Sequence, residues 1–260
     1  MNYQEIQERI KEYESEQKFD QHIVPINYEN SIKVDENFDY IGEKFGVKFK
    51  RFFQKIFVVK PYSWWKNNFE NRVRVYGREN LKNLDNGAIV TCNHTNMFDC
   101  LAIKKALRGR KVKITAGDFN NQRGFFGEMM RVGGMMPLGS NRAGMKNFNK
   151  AFDYFVEKKY FVAFYPEQAM WPDYEKPRPL KNGAFHYAVK YDLPVLPIFI
   201  TYRSGKKIAK NGRKVKYMDL HILPPIYSDE VDRNMRIQDL IKQNTTAWQN
   251  CYESSKNNKN

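Results

Sequence analysis

Between residues 72 and 202, short apolar runs alternate with segments of helical period, and that alternation limits the chain to a few folds. The runs near 72–76, 87–92, 112–116, 160–165 and 194–202 read as strands. Segments near 97–107, 123–132, 143–158 and 182–190 repeat apolar side chains three and four apart, and read as the helices between them. Strand, helix and strand in succession build a largely parallel sheet covered by helices, so the pattern predicts an α/β fold: a mixed, mostly parallel sheet flanked by helices. Asn211-Gly212 predicts a hairpin turn joining the strand near 200 to another near 215–222, with a helix from about residue 228. At 260 residues and 42% hydrophobic content, one large domain over 67–253 is the economical count, with 254–260 as a polar tail expected to be disordered.

The first 66 residues read differently. Residues 1–19 have the pattern of a charged amphipathic helix with Ile6, Ile10 and Tyr13 on one face, and 20–42 look irregular. From Phe45 to Lys60, aromatic and aliphatic residues interleave with lysines, followed by Pro61-Tyr62-Ser63-Trp64-Trp65. A helical segment lying in a membrane interface has this composition, with tryptophans at headgroup depth. A core-packed helix with a solvated basic face is the alternative. No run approaches the roughly 20 apolar residues of a spanning helix, and no signal-peptide core follows a basic start. The expectation is a peripheral or monotopic protein on the cytoplasmic face of a membrane. A net charge of +15, with basic runs at Lys104–Lys113 and Lys206–Lys216, calls for an acidic partner: anionic lipid, coenzyme A phosphates or an acidic carrier protein. Charge alone would also support a nonenzymatic protein binding membrane or nucleic acid. Three cysteines, Cys92, Cys100 and Cys251, without framework spacing suggest reduced thiols.

Asn93-His94-Thr95-Asn96-Met97-Phe98-Asp99 follows the apolar run Ala88-Ile89-Val90 and sets a histidine and an aspartate five residues apart. A histidine takes a hydroxyl proton near neutral pH, and a carboxylate on its other ring N–H fixes the tautomer. Two other readings compete. Asn93 could cap a helix starting near Thr95, with Asp99 in its first turn. Cys92, His94, Asp99 and Cys100 could bind zinc, although neither C-x-x-C nor H-x-x-x-H spacing is present.

Three further blocks follow in order: Met136-Pro137-Leu138-Gly139-Ser140-Asn141-Arg142, Phe164-Tyr165-Pro166-Glu167-Gln168, and Leu193-Pro194-Val195-Leu196-Pro197-Ile198. With the H-x-x-x-x-D block they resemble the glycerolipid acyltransferase family, which includes 1-acylglycerol-3-phosphate acyltransferases, over about residues 72–203. The family's third block has Gly and Thr or Ser after Pro-Glu, where this chain has Gln168-Ala169-Met170-Trp171. That departure bears on the acceptor more than on the reaction.

The resemblance implies His94 as general base, Asp99 as its orienting group, and attack by a glycerol hydroxyl on an acyl thioester carried by coenzyme A or acyl carrier protein. A thioester is already activated, so direct transfer without an acyl-enzyme is expected, with no metal or prosthetic group. Arg142, after the Gly139-Ser140-Asn141 turn, has the forked donors that match phosphate. Lys181, opening a predicted helix over 182–190, is a second phosphate candidate. By resemblance Glu167 helps bind the acceptor, while a turn carboxylate paired with a nearby arginine would look the same. The acceptor the resemblance implies is a lysophospholipid, 1-acylglycerol 3-phosphate, and no nucleic-acid partner is expected. Another lysophospholipid or an aminolipid is the alternative.

Overall fold

The computed structural model describes residues 1–42, 45–208 and 214–257. Seven strands form one sheet: β1 (Arg74–Tyr76), β2 (Ala88–Cys92), β3 (Val112–Ala116), β4 (Met135–Pro137), β5 (Phe161–Phe164), β6 (Val195–Ile208) and β7 (Lys214–Ile222). Their spatial order is β1-β7-β6-β2-β5-β3-β4. Every neighbouring pair is parallel except β6 and β7, which are antiparallel. The central strands are buried on both faces, as parallel strands under helices must be; all five residues of β2 are buried.

Because strand side chains alternate, each strand feeds two cores. On one face Val90, Cys92, Ile114, Ala163 and Ile198 meet Ala102, Ile103 and Ala106 of α4 (Asp99–Ala106). On the other, Ile89, Val162 and Val195 meet Phe148, Phe152 and Phe155 of α6 (Arg142–Glu157) and Phe185 of α7 (Gly183–Tyr191). Ile237 and Leu240 of α8 (Arg233–Asn257) close that second core. A shorter helix, α5 (Gly124–Val132), connects β3 to β4.

Before the sheet lie α1 (Tyr3–Ser15), then α2 (Phe45–Gln54) and α3 (Lys60–Trp65). A π turn over Lys55–Val59 joins α2 to α3, and a second over Lys66–Glu70 follows. Pro61 explains the first: its ring excludes a regular bond to the carbonyl of Phe57, and a wider turn accommodates it. No helix among the described residues is long and apolar enough to cross a membrane. Residues 18–41 form an extended strap across the ends of the strands. Its bonds are spread along its length: Ile32 N–H to Asn121 O, Ser140 N–H to Val34 O, and Tyr40 Oη to Pro137 O. The edge strand β4 was not expected; three residues between Gly134 and Leu138 are too short to show a period. The polar segment 254–257 is not a loose tail but the last turn of α8, since no Gly or Pro interrupts the helix before it. That helix begins at Arg233, not 228. The expected turn at Asn211-Gly212 lies outside the described residues.

Candidate active site

In a parallel sheet the loops after the strands' C-terminal ends share one edge, where ligands of open α/β sheets sit. The His94 loop leaves β2 there. Asn93 is fully buried and behaves like one more strand residue: its Oδ1 accepts from Ile200 N–H at 2.7 Å and its Nδ2 donates to Ile200 O at 3.0 Å. It therefore clamps the loop to β6 and caps no helix. Asn96 Oδ1 accepts from Phe98 N–H two residues on, a turn that delivers Asp99 to the first position of α4.

Asp99 is completely buried. Its Oδ2 accepts from Thr95 N–H at 2.8 Å and Asn96 N–H at 3.0 Å, and lies 3.1 Å from His94 Nδ1. An oxygen that already accepts two backbone N–H groups has no proton to offer the ring. Nδ1–H is then the donor, and Nε2 keeps its lone pair for a substrate proton. Tyr165, the residue after β5, stacks on the imidazole with ring centroids 4.0 Å apart and planes 17° apart, which sets the ring's tilt. Burial, reinforced by the nearby Asp99 charge, keeps the Tyr165 phenol protonated well past its ordinary range.

Glu167 is placed differently from the expectation. It is 2% exposed, and both carboxylate oxygens are engaged within the protein. Oε2 accepts from His94 N–H at 3.1 Å and from the Arg178 guanidinium at 2.6 Å; Oε1 accepts from Arg178 N–H at 3.0 Å. The turn carboxylate paired with an arginine is what the fold contains. Glu167 holds the backbone of the base and presents no open face to an acceptor. Two further bonds pin the same loop, Trp171 N–H to His94 O and Asp173 N–H to Thr95 O, both 3.0 Å. Thr95 Oγ1 meets Tyr202 Oη at 2.9 Å.

Gly139 follows β4, and its backbone touches that of Gly144 so closely that a Cβ would lie 2.1 Å from the Gly144 carbonyl carbon. That contact seats the start of α6, where Asn141 accepts from Gly144 N–H at 2.8 Å and Arg142 is the exposed first residue. The Arg142 side chain makes no ion pair or hydrogen bond among the described residues, and stands beside free N–H groups of the helix start. β4 is three strands from β2, so roughly 14 Å separates the roots of Arg142 and His94 along the sheet edge at about 4.8 Å per strand. Lys181 is drawn aside: its Nζ pairs with Asp20 of the strap at 2.9 Å.

The zinc reading finds no support. Among the described residues no three His, Cys, Asp or Glu side chains converge as ligands. Burial also pushes the Cys92 thiol well up and that of Cys100 to about 11, away from the thiolate a metal needs.

A family model described as Acyltransferase matches residues 72–201, half of the chain. The chain belongs to the acyltransferase family. Its fold is similar to the crystal structure of the 1-acyl-sn-glycerophosphate (LPA) acyltransferase PlsC from Thermotoga maritima. That match has 21% identity and a TM-score of 0.51, over 76% of this chain and 85% of that one. Against that acyltransferase background, sequence reasoning missed three residues near the base. Arg178 sits between Pro177 and Pro179, and a carboxylate buried at a turn is the signal that a partner of this kind was required. Tyr165 carried no signal beyond its place before Pro166. His22 comes from the strap, half-buried with its ring edge-on to Phe119. Burial first, then the His94 and Arg178 charges, hold its pKa below the usual histidine value.

Proposed function

We propose that this acyltransferase moves a fatty acyl group from a thioester of coenzyme A or acyl carrier protein to the free hydroxyl of a lysophospholipid, with 1-acylglycerol 3-phosphate as the preferred acceptor and phosphatidic acid as product. The observation that carries the reading is the His94–Asp99 pair, with Nδ1 occupied and Nε2 available. His94 removes the hydroxyl proton as the oxygen attacks the thioester carbonyl; the thiolate leaves and takes up a proton. Base catalysis of this kind contributes about 10²- to 10⁴-fold. Asp99 orients the ring, Glu167 and Arg178 hold its backbone, and Arg142 with the first N–H groups of α6 receives the acceptor phosphate. The acceptor named for the Thermotoga maritima protein supports this choice.

The aromatic residues of α2, α3 and the π turns support a membrane site of action. Phe49, Phe52, Phe53, Phe57, Trp64 and Trp65 are between 42% and 68% exposed, far more than solvated helices usually show. We place the enzyme on the cytoplasmic membrane face by this segment. One observation favours a second acceptor class: Trp171, where the family has a small or hydroxylated residue nearby, is fully buried against Phe19 and Tyr13, so strap and α1 remodel that side of the site. The deciding experiment compares 1-acylglycerol 3-phosphate with lysophospholipids of larger headgroup and with an aminolipid, in mixed micelles with one acyl-coenzyme A. A kcat/KM at least tenfold higher for 1-acylglycerol 3-phosphate is expected. Preference for another acceptor would transfer the assignment to it.

A further inference from the structure

The strap and helix α2 enclose, against β3 and the end of α5, a cavity of about 170 Å³. Its lining includes Arg51 and Phe52 of α2, Lys55 of the first π turn, Lys113 of β3, Arg131 of α5, and Asp39 of the strap. Four cations thus face one carboxylate, and Asp39 is already within 3.8 Å of Arg51. Arg131 donates to Asn121 Oδ1 and Gln122 O, which are neutral. Lys55 and Lys113 have no hydrogen bond or ion pair among the described residues; the Lys113 ammonium rests on the Phe155 ring at 4.2 Å. Among the described residues a further carboxylate, Glu128, is turned away to Lys50 at 2.7 Å and Gln54 at 3.0 Å. Lys104 of α4 adds a fifth positive charge from the Gly133–Gly134 turn.

Cations that outnumber the carboxylates in a concave site repel one another, and such a site favours an anion. Two guanidinium forks and two ammonium groups match the oxygens of a phosphate. Burial and the crowding of like charges show in two of the lysines. Burial, then the charges of Lys104, Arg51 and Lys55, outweigh Asp39 and lower Lys113 to about 7. Burial and Lys55 lower Lys104 to about 8.

This is not the catalytic pocket. Lys113 is level with Val162 and hence with Ile89, while His94 lies five residues further along, roughly 16 Å at about 3.3 Å per residue. The wall residue Phe52 belongs to the row of exposed aromatic rings with Phe49, Phe53 and Phe57. An anion reaching the cavity beside that row would be a lipid headgroup whose tails lie among the rings.

We infer that the cavity under α2 is a second anion site, which takes the phosphate of an anionic phospholipid and so seats α2 and α3 on the membrane. It stands independently of which acceptor the enzyme uses. The test measures binding of the full chain to vesicles of phosphatidylcholine with and without phosphatidylglycerol, and to inorganic phosphate at matched ionic strength. Wild type is set beside Lys55→Gln/Lys113→Gln and a charge-matched control, Lys242→Gln/Lys256→Gln in α8. The cavity variant should lose at least tenfold in affinity for phosphatidylglycerol vesicles and nothing for neutral ones, and the control should bind like wild type. Calorimetry at pH 8 in two buffers of different ionisation enthalpy should show proton uptake on binding by wild type and less by the variant. Lys55→Gln alone, on an exposed side chain, gives the same reading in reduced size should the double variant fold poorly. Equal losses in cavity and control variants would reduce the effect to general charge and overturn the site. Inorganic phosphate bound in the cavity with vesicle binding unchanged by the variant would overturn the lipid as its ligand.

Discussion

Gln168 stands at φ 67°, in the left-handed region, at the position where the family pattern has glycine. A side chain with a Cβ pays about 1 kcal/mol there, so Gln168→Gly should stabilise the protein by roughly that amount in a urea melt. A destabilised variant would mean that the Gln168 side chain makes up for its backbone. The adjoining ion pair gives the opposite sign. Arg178→Met leaves the Glu167 charge buried alone and should cost about 3–5 kcal/mol, with Arg178→Met/Glu167→Gln recovering a substantial part. Urea unfolding of both variants measures this; a loss below about 1 kcal/mol would remove the pair from its positioning role. At this scale the sequence exposed the groups that do chemistry and hid the groups that hold them. His94 and Asp99 share one loop and could be paired by spacing. Glu167 and Arg178 meet across a chain reversal, and Tyr165 reaches the imidazole from another strand, so only the fold joins them.

Elements with a period were legible because burial wrote it: β2, β5 and the start of β6 are apolar runs, and α6 spaces Phe148, Phe152 and Phe155 for one face of the sheet. Short or composite elements were not. β4 has three residues, the strap has no period, and the π turns of the 45–70 segment shift a helical pattern without erasing it. The exposed rings of that segment carry a prediction of their own. Phe53→Ser/Phe57→Ser removes two large apolar side chains from the proposed interface, each worth up to about 1.5–3 kcal/mol when fully buried. Affinity for vesicles should fall by roughly 10- to 100-fold, with activity on a soluble short-chain acceptor retained. Unchanged vesicle binding would place the membrane contact elsewhere on the protein.

Across the whole molecule the net charge is +15, and where α2 meets the sheet Arg51, Lys55, Lys113 and Arg131 share one cavity, a cost readable in pH. Lys113 near 7 and Lys104 near 8 lie below the 10.5 of a free lysine, so above pH 7 the unfolded chain holds more protons on them than the folded one. Stability from these groups therefore rises with pH between about 7 and 8.5. Lys113→Met should be more stable than wild type at pH 7, with the advantage shrinking toward pH 8.5; that comparison cancels the thiols Cys92 and Cys100. A constant difference across the window would deny that Lys113 carries a compressed charge.

In the proposed reaction one imidazole, oriented through Nδ1 by Asp99, removes the acceptor's proton. The direct measurement is the initial rate of thiol release and lipid product from acyl-coenzyme A and 1-acylglycerol 3-phosphate, for wild type, His94→Ala and Asp99→Asn. A loss of about 10²- to 10⁴-fold in kcat is expected for His94→Ala and a large loss for Asp99→Asn, with little change in KM for either substrate. Wild-type turnover by His94→Ala would contradict it.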